Sequence, residues 1–332
     1  MSASVTPGAD SALAGWARRL ARHGLSVLGL VFAVTVLTFA ITEIMPGDPA
    51  VAILGESAMP EQIVSLRTEL GMDRPLWQRY ASWLGNALSG DLGHSYRSNE
   101  SIAQMLADRL PVSIQLVLMA QVLALGFSVP AAVFAAYRPG GRFDRAMDIF
   151  TTGLISMPAF MVGLLLIYVL AVHAGLFPAA GYKYLSDGLW LNMSTMLLPA
   201  LTLAQSEIPV YMRLLRAEMI STLQQEYILV ARAKGLAPQR ILWRHALKPS
   251  SFSLITVVGV NMGRLVGGAV IIETLFALPG MGQMLVTAVY QHDHFVIQGI
   301  VLVVAVGFVF INVAVDSAYA LLDPRVRHAT RS

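Results

Sequence analysis

EYILVARAKGLAPQRILWRHALKP, residues 226–249, lies between two long apolar segments and sets five basic side chains, Arg232, Lys234, Arg240, Arg244 and Lys248, against one acid, Glu226. Its apolar residues, among them Ile228, Ala231, Ile241, Leu242 and Leu247, fall in short helical runs and do not make a span. Gly235 is placed to end one helix, because a left-handed backbone angle costs glycine nothing, and Pro238 is placed to open the next. The stretch reads as a helix-turn-helix lying on the cytoplasmic face of a membrane, basic side outward. On charge alone it reads equally as a positive loop that merely fixes topology.

Working outward, composition makes the membrane explicit. Of 332 residues, 56% are apolar and 13% charged, with a mean hydropathy of +0.63. Soluble domains carry roughly 25% charged residues, and a soluble core this apolar would leave large greasy patches in water. The chain is therefore expected to be a polytopic membrane protein. Its net charge of +3 is small, so the placement of charge matters more than its size. With no cysteine, disulfides and thiolate chemistry are excluded.

Residues 1–17 are rich in Ser, Ala and Gly and are expected to form a disordered cytoplasmic tail. Residues 18–44 form a first transmembrane helix, in which Arg18, Arg19 and Arg22 precede the apolar run from Leu25 to Ile44. Its length, and the absence of a small-residue cleavage pattern in the following MPGDPA, favour an uncleaved span over a signal peptide. Residues 45–110 are the one sizeable hydrophilic region, an extracytoplasmic loop subdomain. Ile63, Leu66 and Leu70, and then Leu76, Tyr80, Trp83 and Leu84, recur at helical spacing, which predicts two short amphipathic helices. Trp77 and Trp83 are expected at the outer membrane interface.

Residues 111–322 read as a five-helix transmembrane core. Its apolar segments are Pro111–Tyr137, Ile149–His173, Met196–Leu215, Phe252–Leu278 and Phe295–Leu322, with the basic loop 217–250 between the fourth and fifth spans of the whole chain. Arg138, Arg142 and Arg145, then Arg213 and Arg216, then Arg325, Arg327 and Arg331 fall on the same side as that loop if there are six spans. Both termini, including the tail 323–332, are thereby expected in the cytoplasm. Pro130, Pro158, Pro199 and Pro209 predict kinks, tolerable where a neighbouring helix or water satisfies the freed carbonyl.

The segment Phe252–Leu278 carries two stripes. Gly259, Gly263 and Gly267 repeat every four residues and would let a helix approach closely. Asn261, Arg264 and Gly268 lie on another face, expected to meet a polar cavity. With Glu273 they are the candidate translocation-pathway residues. The competing reading of Arg264 is a side chain neutralised by Glu273 or Glu207 within the bundle, since a charge at that depth does not face lipid.

Nothing points to catalysis in this chain. A phosphate-cradling G-x-x-x-x-G-K-[ST] loop is missing, as is an H-E-x-x-H pair. His292, Asp293 and His294 sit close in sequence, but alternation in an external turn is poor ligand geometry. They are read as solvated loop residues, and no metal is expected.

Tyr227–Leu236, followed by Arg240, Arg244, His245, Ala246 and Leu247, resembles the cytoplasmic coupling loop of bacterial ABC importer permeases, in the peptide and nickel branch. Of the superfamily-wide pattern only Ala231 and Gly235 are kept, with Leu229 and Val230 at the other two positions. MPGDP, GMDRPL and GDLGHSY resemble that family's first external loop. GGAVIIETLFALPGMGQML (267–285) resembles the segment leading to its external Pro-Gly-x-Gly turn. Asn312, Val313, Asp316 and Tyr319 with LLDPRVR resemble its closing span and tail.

The resemblance implies an all-α, type I ABC importer permease fold of six transmembrane helices. Its expected function is to carry di- or oligopeptides, or else nickel chelates, glutathione or opines, by alternating access. It implies a second homologous permease, two ATP-binding subunits that use the ATP and magnesium, and an extracytoplasmic substrate-binding protein, in a bacterial cytoplasmic membrane. No cofactor is expected on this chain, and no nucleic acid. Glu226, Tyr227, Ala231, Arg232, Ala233, Lys234, Gly235, Leu236, Arg240 and His245 are then the residues coupling it to the ATPase. The reading from another class is a stand-alone secondary transporter or channel, which paired broken helices with midplane acids would favour.

Overall fold

The computed structural model describes residues 28–44, 48–55 and 57–322. The expected tails 1–17 and 323–332, and the arginines before the first span, lie outside the described residues, as do the side chains of Asn312, Asp316 and Tyr319. Among the described residues the structure is helical, with one isolated antiparallel bridge, His94 to Ser101. Two compact units divide it, one within Met1–Ala103 together with His292–Val309, the other within Gln104–Gln291 together with Phe310–Ser332.

In the first unit, α1 (Leu28–Ile44) is followed by the short helices α2 (Pro49–Leu54), α3 (Pro60–Glu69) and α4 (Leu76–Leu88). The interior face of α1 is polar as well as apolar, with Thr35, Thr38, Phe39 and Thr42 buried while Leu37, Ile41 and Ile44 are exposed. That face meets α4. Thr35 Oγ1 lies 2.8 Å from the Tyr80 hydroxyl, Phe39 packs edge-on against Tyr80, and Arg79 donates to both oxygens of Glu43 at 2.6 and 2.7 Å. Trp83 packs on Phe39, centroids 6.1 Å apart, and is half-buried, while Trp77 is exposed. Asp48 caps α2 through Ala50 N and also binds Arg67.

Asp293 and His294 depart from the solvated-loop expectation, while His292 is exposed as expected. Asp293 and His294 are buried. The Asp293 carboxylate accepts from the Ser95 hydroxyl at 2.5 Å and from Val296 N, capping the last helix, α13 (His294–Leu322). The local reason is His292, whose φ of +56° turns the chain sharply before that helix.

The second unit is built from α5 (Ile102–Tyr137), α6 (Arg142–Ser156), α7 (Ala159–His173, its end a π turn from Ile167), α8 (Leu189–Ala204), α9 (Ile208–Leu223), α10 (Glu226–Ala233), α11 (Pro238–Leu275) and α12 (Met281–Gln291). Buried alanines 120, 124, 131, 132, 135 and 136 line α5, the small side chains that let membrane helices approach closely. Tyr211, Leu215 and Met219 of α9 share a core with Met196, Leu198, Leu265, Ile272 and Phe276.

Among the described residues three helices, α5, α11 and the stretch His294–Ile311, are long and apolar enough to cross a membrane, and a fourth if α6 and α7 count as one span. That pair bends by 104°. The expected continuous segments Ile149–His173 and Met196–Leu215 are thus both broken, the first at Met157–Pro158 and the second at Gln205–Glu207. Pro158 cannot donate to Leu154 O and holds Met157 extended, at φ −106° and ψ 127°. Leu154 O keeps a 3.3 Å bond from Met157 N and gains a shorter one from Gln205, whose Nε2 donates to Leu154 O at 2.5 Å and to Met157 O at 3.3 Å. α9 then restarts with Pro209 in its first turn, where a missing N–H costs nothing.

The glycine stripe also differs from expectation. Gly267 faces open space, and it is Gly268 that packs, a Cβ there lying 3.2 Å from Leu203 Cδ1. The tightest glycines lie beyond, in the turn leading to α12. A Cβ on Gly280 would overlap the Glu273 carboxylate, and one on Gly282 would overlap Val270 Cα. Gly282→Ala is therefore expected to cost about 1–3 kcal/mol by overpacking. Gly267→Ala, with free space and better helix propensity, should cost nothing. Thermal unfolding of both variants in detergent checks this, and equal midpoints would remove the packing argument.

Candidate functional site: a basic loop and a buried polar node

α10 starts after Gln225, which is extended, and places Glu226 in its first turn, where the helix dipole favours an acid. It ends in a Schellman turn. Gly235 N donates to Arg232 O at 2.9 Å and Leu236 N to Ala231 O at 3.3 Å, with Gly235 at φ +73°. Leu236 folds back on a small core of Ile228, Ala231 and Ile241, closed by Leu223. Pro238 opens the next helix, and its second turn, Ile241–Ala246, widens into a π turn bearing Arg244 and His245.

This hairpin sorts the expected coupling residues into two sets. Ala231 and Leu236 point inward and hold the turn. Glu226, Tyr227, Arg232, Ala233, Lys234, Gly235 and Arg240 are exposed, with His245 half-buried. Leu229 and Val230, absent from the expected set, are more than half exposed beside them. Their signal was present in the sequence, since they replace the family-wide residues at those positions. Partial burial pushes the Tyr227 phenol up from its ordinary value. None of Arg232, Lys234, Arg240, Arg244 and Lys248 forms an ion pair with a described residue. The outer face is apolar, basic and unneutralised.

The second group surrounds the break between α8 and α9. Glu207, 1% exposed, accepts from Asn261 Nδ2 at 2.7 Å and from Arg264 at 3.0 Å. The Arg264 side chain remains 58% exposed. Asn261 is buried and Gly268 is packed against Leu203, so of the polar stripe only Arg264 reaches open space. Glu273 lies apart from this node. It is fully buried; Ser113 Oγ donates to it at 2.6 Å, Gly282 N at 2.6 Å and Gln283 N at 3.1 Å, so that it braces the turn before α12. Ser113 in turn accepts from Met281 N. The partner of Arg264 is thus Glu207.

An all-helical chain with broken apolar helices, a half-buried ion pair and a basic hairpin is the class these features define. Residues 128–328 match the family described as binding-protein-dependent transport system inner membrane component, and residues 17–117 match its N-terminal companion. The chain is 38% identical over 299 residues to a putative peptide transport system permease protein of Brucella abortus (strain 2308), covering 90% of this chain and 95% of that one. It is 34% identical over 334 residues to the dipeptide transport system permease protein DppB of Escherichia coli (strain K12), covering 93% and 98%. Among solved structures it resembles a chain of the MetNI methionine ABC transporter, with a TM-score of 0.55 at 15% identity, over 66% of this chain and 97% of that one.

The chain belongs to the ABC importer permeases of the dipeptide and oligopeptide family. It is a multi-pass inner-membrane subunit with a non-catalytic role, one whose class works with ATP-binding subunits and a substrate-binding protein. The broken helices and the buried acid, marks of a stand-alone transporter when taken singly, here occur within an importer permease.

Arg264→Ala leaves the Glu207 carboxylate buried without a counter-charge, with Asn261 and a long 3.5 Å bond from Ser206 Oγ as neutral donors. Because Arg264 is more than half exposed, the cost is expected to be about 1–2 kcal/mol, below that of a fully buried pair. Adding Glu207→Gln should restore most of the loss by removing the stranded charge. A thermal-unfolding double-mutant cycle in detergent tests this, and additive losses would show that the two side chains do not interact.

Proposed function

We propose that the chain is one of two homologous permeases in an ATP-driven peptide importer. Hairpin 226–249 docks on an ATPase subunit, and the membrane helices work by alternating access. The carrying observation is the outer face of α10, where exposed Tyr227, Leu229 and Val230 stand among basic groups with no internal counter-charge. An apolar patch ringed by unpaired charge favours a complementary partner over bulk water. The alternative, a loop that fixes topology by charge alone, gives no role to the exposed apolar residues or the Schellman turn.

In this reading the chain crosses the membrane six times with both termini in the cytoplasm. Arg264 stands along the translocation pathway with Asn261 and Gly268 packed behind it, and Glu273 supports its outer end through the turn it braces. A di- or oligopeptide is the substrate the relatives' names support; nickel chelates, glutathione and opines use the same kind of machinery. Closure of the ATPase pair draws the coupling hairpins together and opens the cavity outward to a docked binding protein. Hydrolysis then returns it inward, the state described for the solved methionine transporter. ATP and magnesium stay on the partner subunits.

Two measurements test this. Reporter fusions after Ala329 and within residues 56–91 should read cytoplasmic and extracytoplasmic respectively; a tail outside would overturn the six-span arrangement. Gly235 has φ +73° but no atom within 4 Å of a would-be Cβ, so its substitution tests backbone conformation without steric conflict. Gly235→Val should cost about 1 kcal/mol or more at the turn, weakening ATPase pull-down and substrate-stimulated hydrolysis while insertion is unaffected. Gly235→Asn, tolerant of the left-handed region, should retain most of both. Full docking and stimulation by the valine variant would refute the coupling role.

A further inference from the structure

α5 and α6 meet through exposed aromatic rings. Phe127 and Phe134 lie seven residues apart on α5, two turns along one face, and Phe143 and Phe150 do the same on α6. Across the pair Phe134 meets Phe143 edge-on, with centroids 6.5 Å apart, and Phe127 meets Phe150 at 5.5 Å. Trp243 of α11 also packs on Phe134, edge-on at 6.4 Å. All five rings are between 39% and 53% exposed, so the strip is an outer surface and not part of the core.

The strip ends in charge. Arg138 follows one turn after Phe134 on the same face, its guanidinium 5.6 Å over the Tyr137 ring. Arg142 opens α6 beside Phe143. Both arginines are exposed, and neither forms an ion pair with a described residue. The cause is local: both acids of α6 are taken by α9. Asp144 accepts from Arg216 at 2.5 and 2.6 Å, and Asp148 lies 3.5 Å from Arg213. From Phe127 to Arg138 the helix rises about 16 Å at 1.5 Å per residue, close to half of a hydrocarbon layer roughly 30 Å thick. Rings that face lipid are ordinary on a membrane helix. Rings paired across two helices and capped by uncompensated guanidiniums match a ligand that has both an apolar chain and an anion, spaced within one leaflet.

We propose that this strip binds one anionic phospholipid, with an acyl chain along the four phenylalanine rings and the phosphate held by Arg138 and Arg142. The rings alone select nothing, since one lipid chain replaces another there. Selection comes from charge. A phosphodiester with no cation of its own gains from both guanidiniums, which are suited to phosphate, whereas a choline headgroup brings a positive charge against them. Trp243 sets the strip against the second arm of the basic hairpin. The site rests on the chain's place in a membrane, and it depends neither on peptide transport nor on the coupling role proposed for that hairpin.

Native mass spectrometry of the full-length chain in detergent, titrated with dioleoyl phosphatidylglycerol and with dioleoyl phosphatidylcholine, tests it. One phosphatidylglycerol should bind about tenfold or more tightly than the choline lipid. Changing Arg138→Ala and Arg142→Ala together should weaken that binding about thirtyfold. Changing Arg74→Ala and Arg97→Ala together removes two exposed arginines of the first unit and should leave it unaltered. All four side chains are exposed and without ion pairs to described residues, so both double variants keep the fold. Phe143→Ser should also weaken the lipid, and glycerophosphoglycerol, the same headgroup without chains, should fail to compete with it. Equal binding of the two lipids, equal losses in the two double variants, or competition by the chainless headgroup would overturn the assignment. So would a dimer of the chain that excludes lipid and dissociates on Phe143→Ser, since a second copy would then cover the rings.

Discussion

A carbonyl in an apolar helix has no water to turn to, so a proline inside such a helix creates a debt that another side chain must settle. Pro158 deprives Leu154 O of its i+4 donor; Met157 N reaches that oxygen only at 3.3 Å, and Gln205 adds a 2.5 Å bond from the neighbouring helix. The consequence reaches well beyond one hydrogen bond. It brings the break in α6–α7 against the break in α8–α9, so each helix is interrupted where the other is. Glu207, two residues after Gln205, is fixed at the same break, and it orients Asn261 and Arg264 of α11. A missing N–H at one proline thus sets the position of the only ion pair between α11 and α9's leading turn seen among the described residues.

The charged groups of the second unit divide by whether their partners are internal. Asp144 accepts from Arg216 at 2.5 and 2.6 Å and from Gly140 N, tying α6 to α9. Glu273 is closed by a hydroxyl and two backbone donors. Each is satisfied within the chain and needs nothing from outside. The hairpin after α9 follows the opposite rule: its turn is held by backbone bonds and a small apolar core, while its charges are left open. An element so firmly shaped and so poorly neutralised fits a role in contact with another subunit.

The local chemistry was the most legible part of the sequence. Gly235 and Pro238 marked the hairpin correctly because each constrains its own backbone regardless of surroundings. The broken spans were not legible, because Pro158 and Pro209 permit either a kink or a complete break, and the choice rests on a side chain about fifty positions away in sequence, Gln205. Asp293 and His294 looked like solvated loop residues because their burial depends on Ser95, which no local pattern links to them. The alternatives for Arg264 could be written down but not ranked; Glu207 and Glu273 are equally acidic, and only the fold places one beside it and the other under a turn.

The bond from Gln298 to Thr42 joins residues 256 positions apart. During synthesis α1 leaves the ribosome with three threonines on the face that will be buried, a weaker candidate for lasting insertion than an all-aliphatic helix. Until then its hydroxyls have only their own backbone, as in the bonds from Thr42 to Thr38 O and Phe39 O. Position 298 is reached when nearly all of the chain has been made. The interior face of α1 therefore stays open until position 298 has been made, and the first unit closes only across most of the sequence, which lies between Thr42 and Gln298.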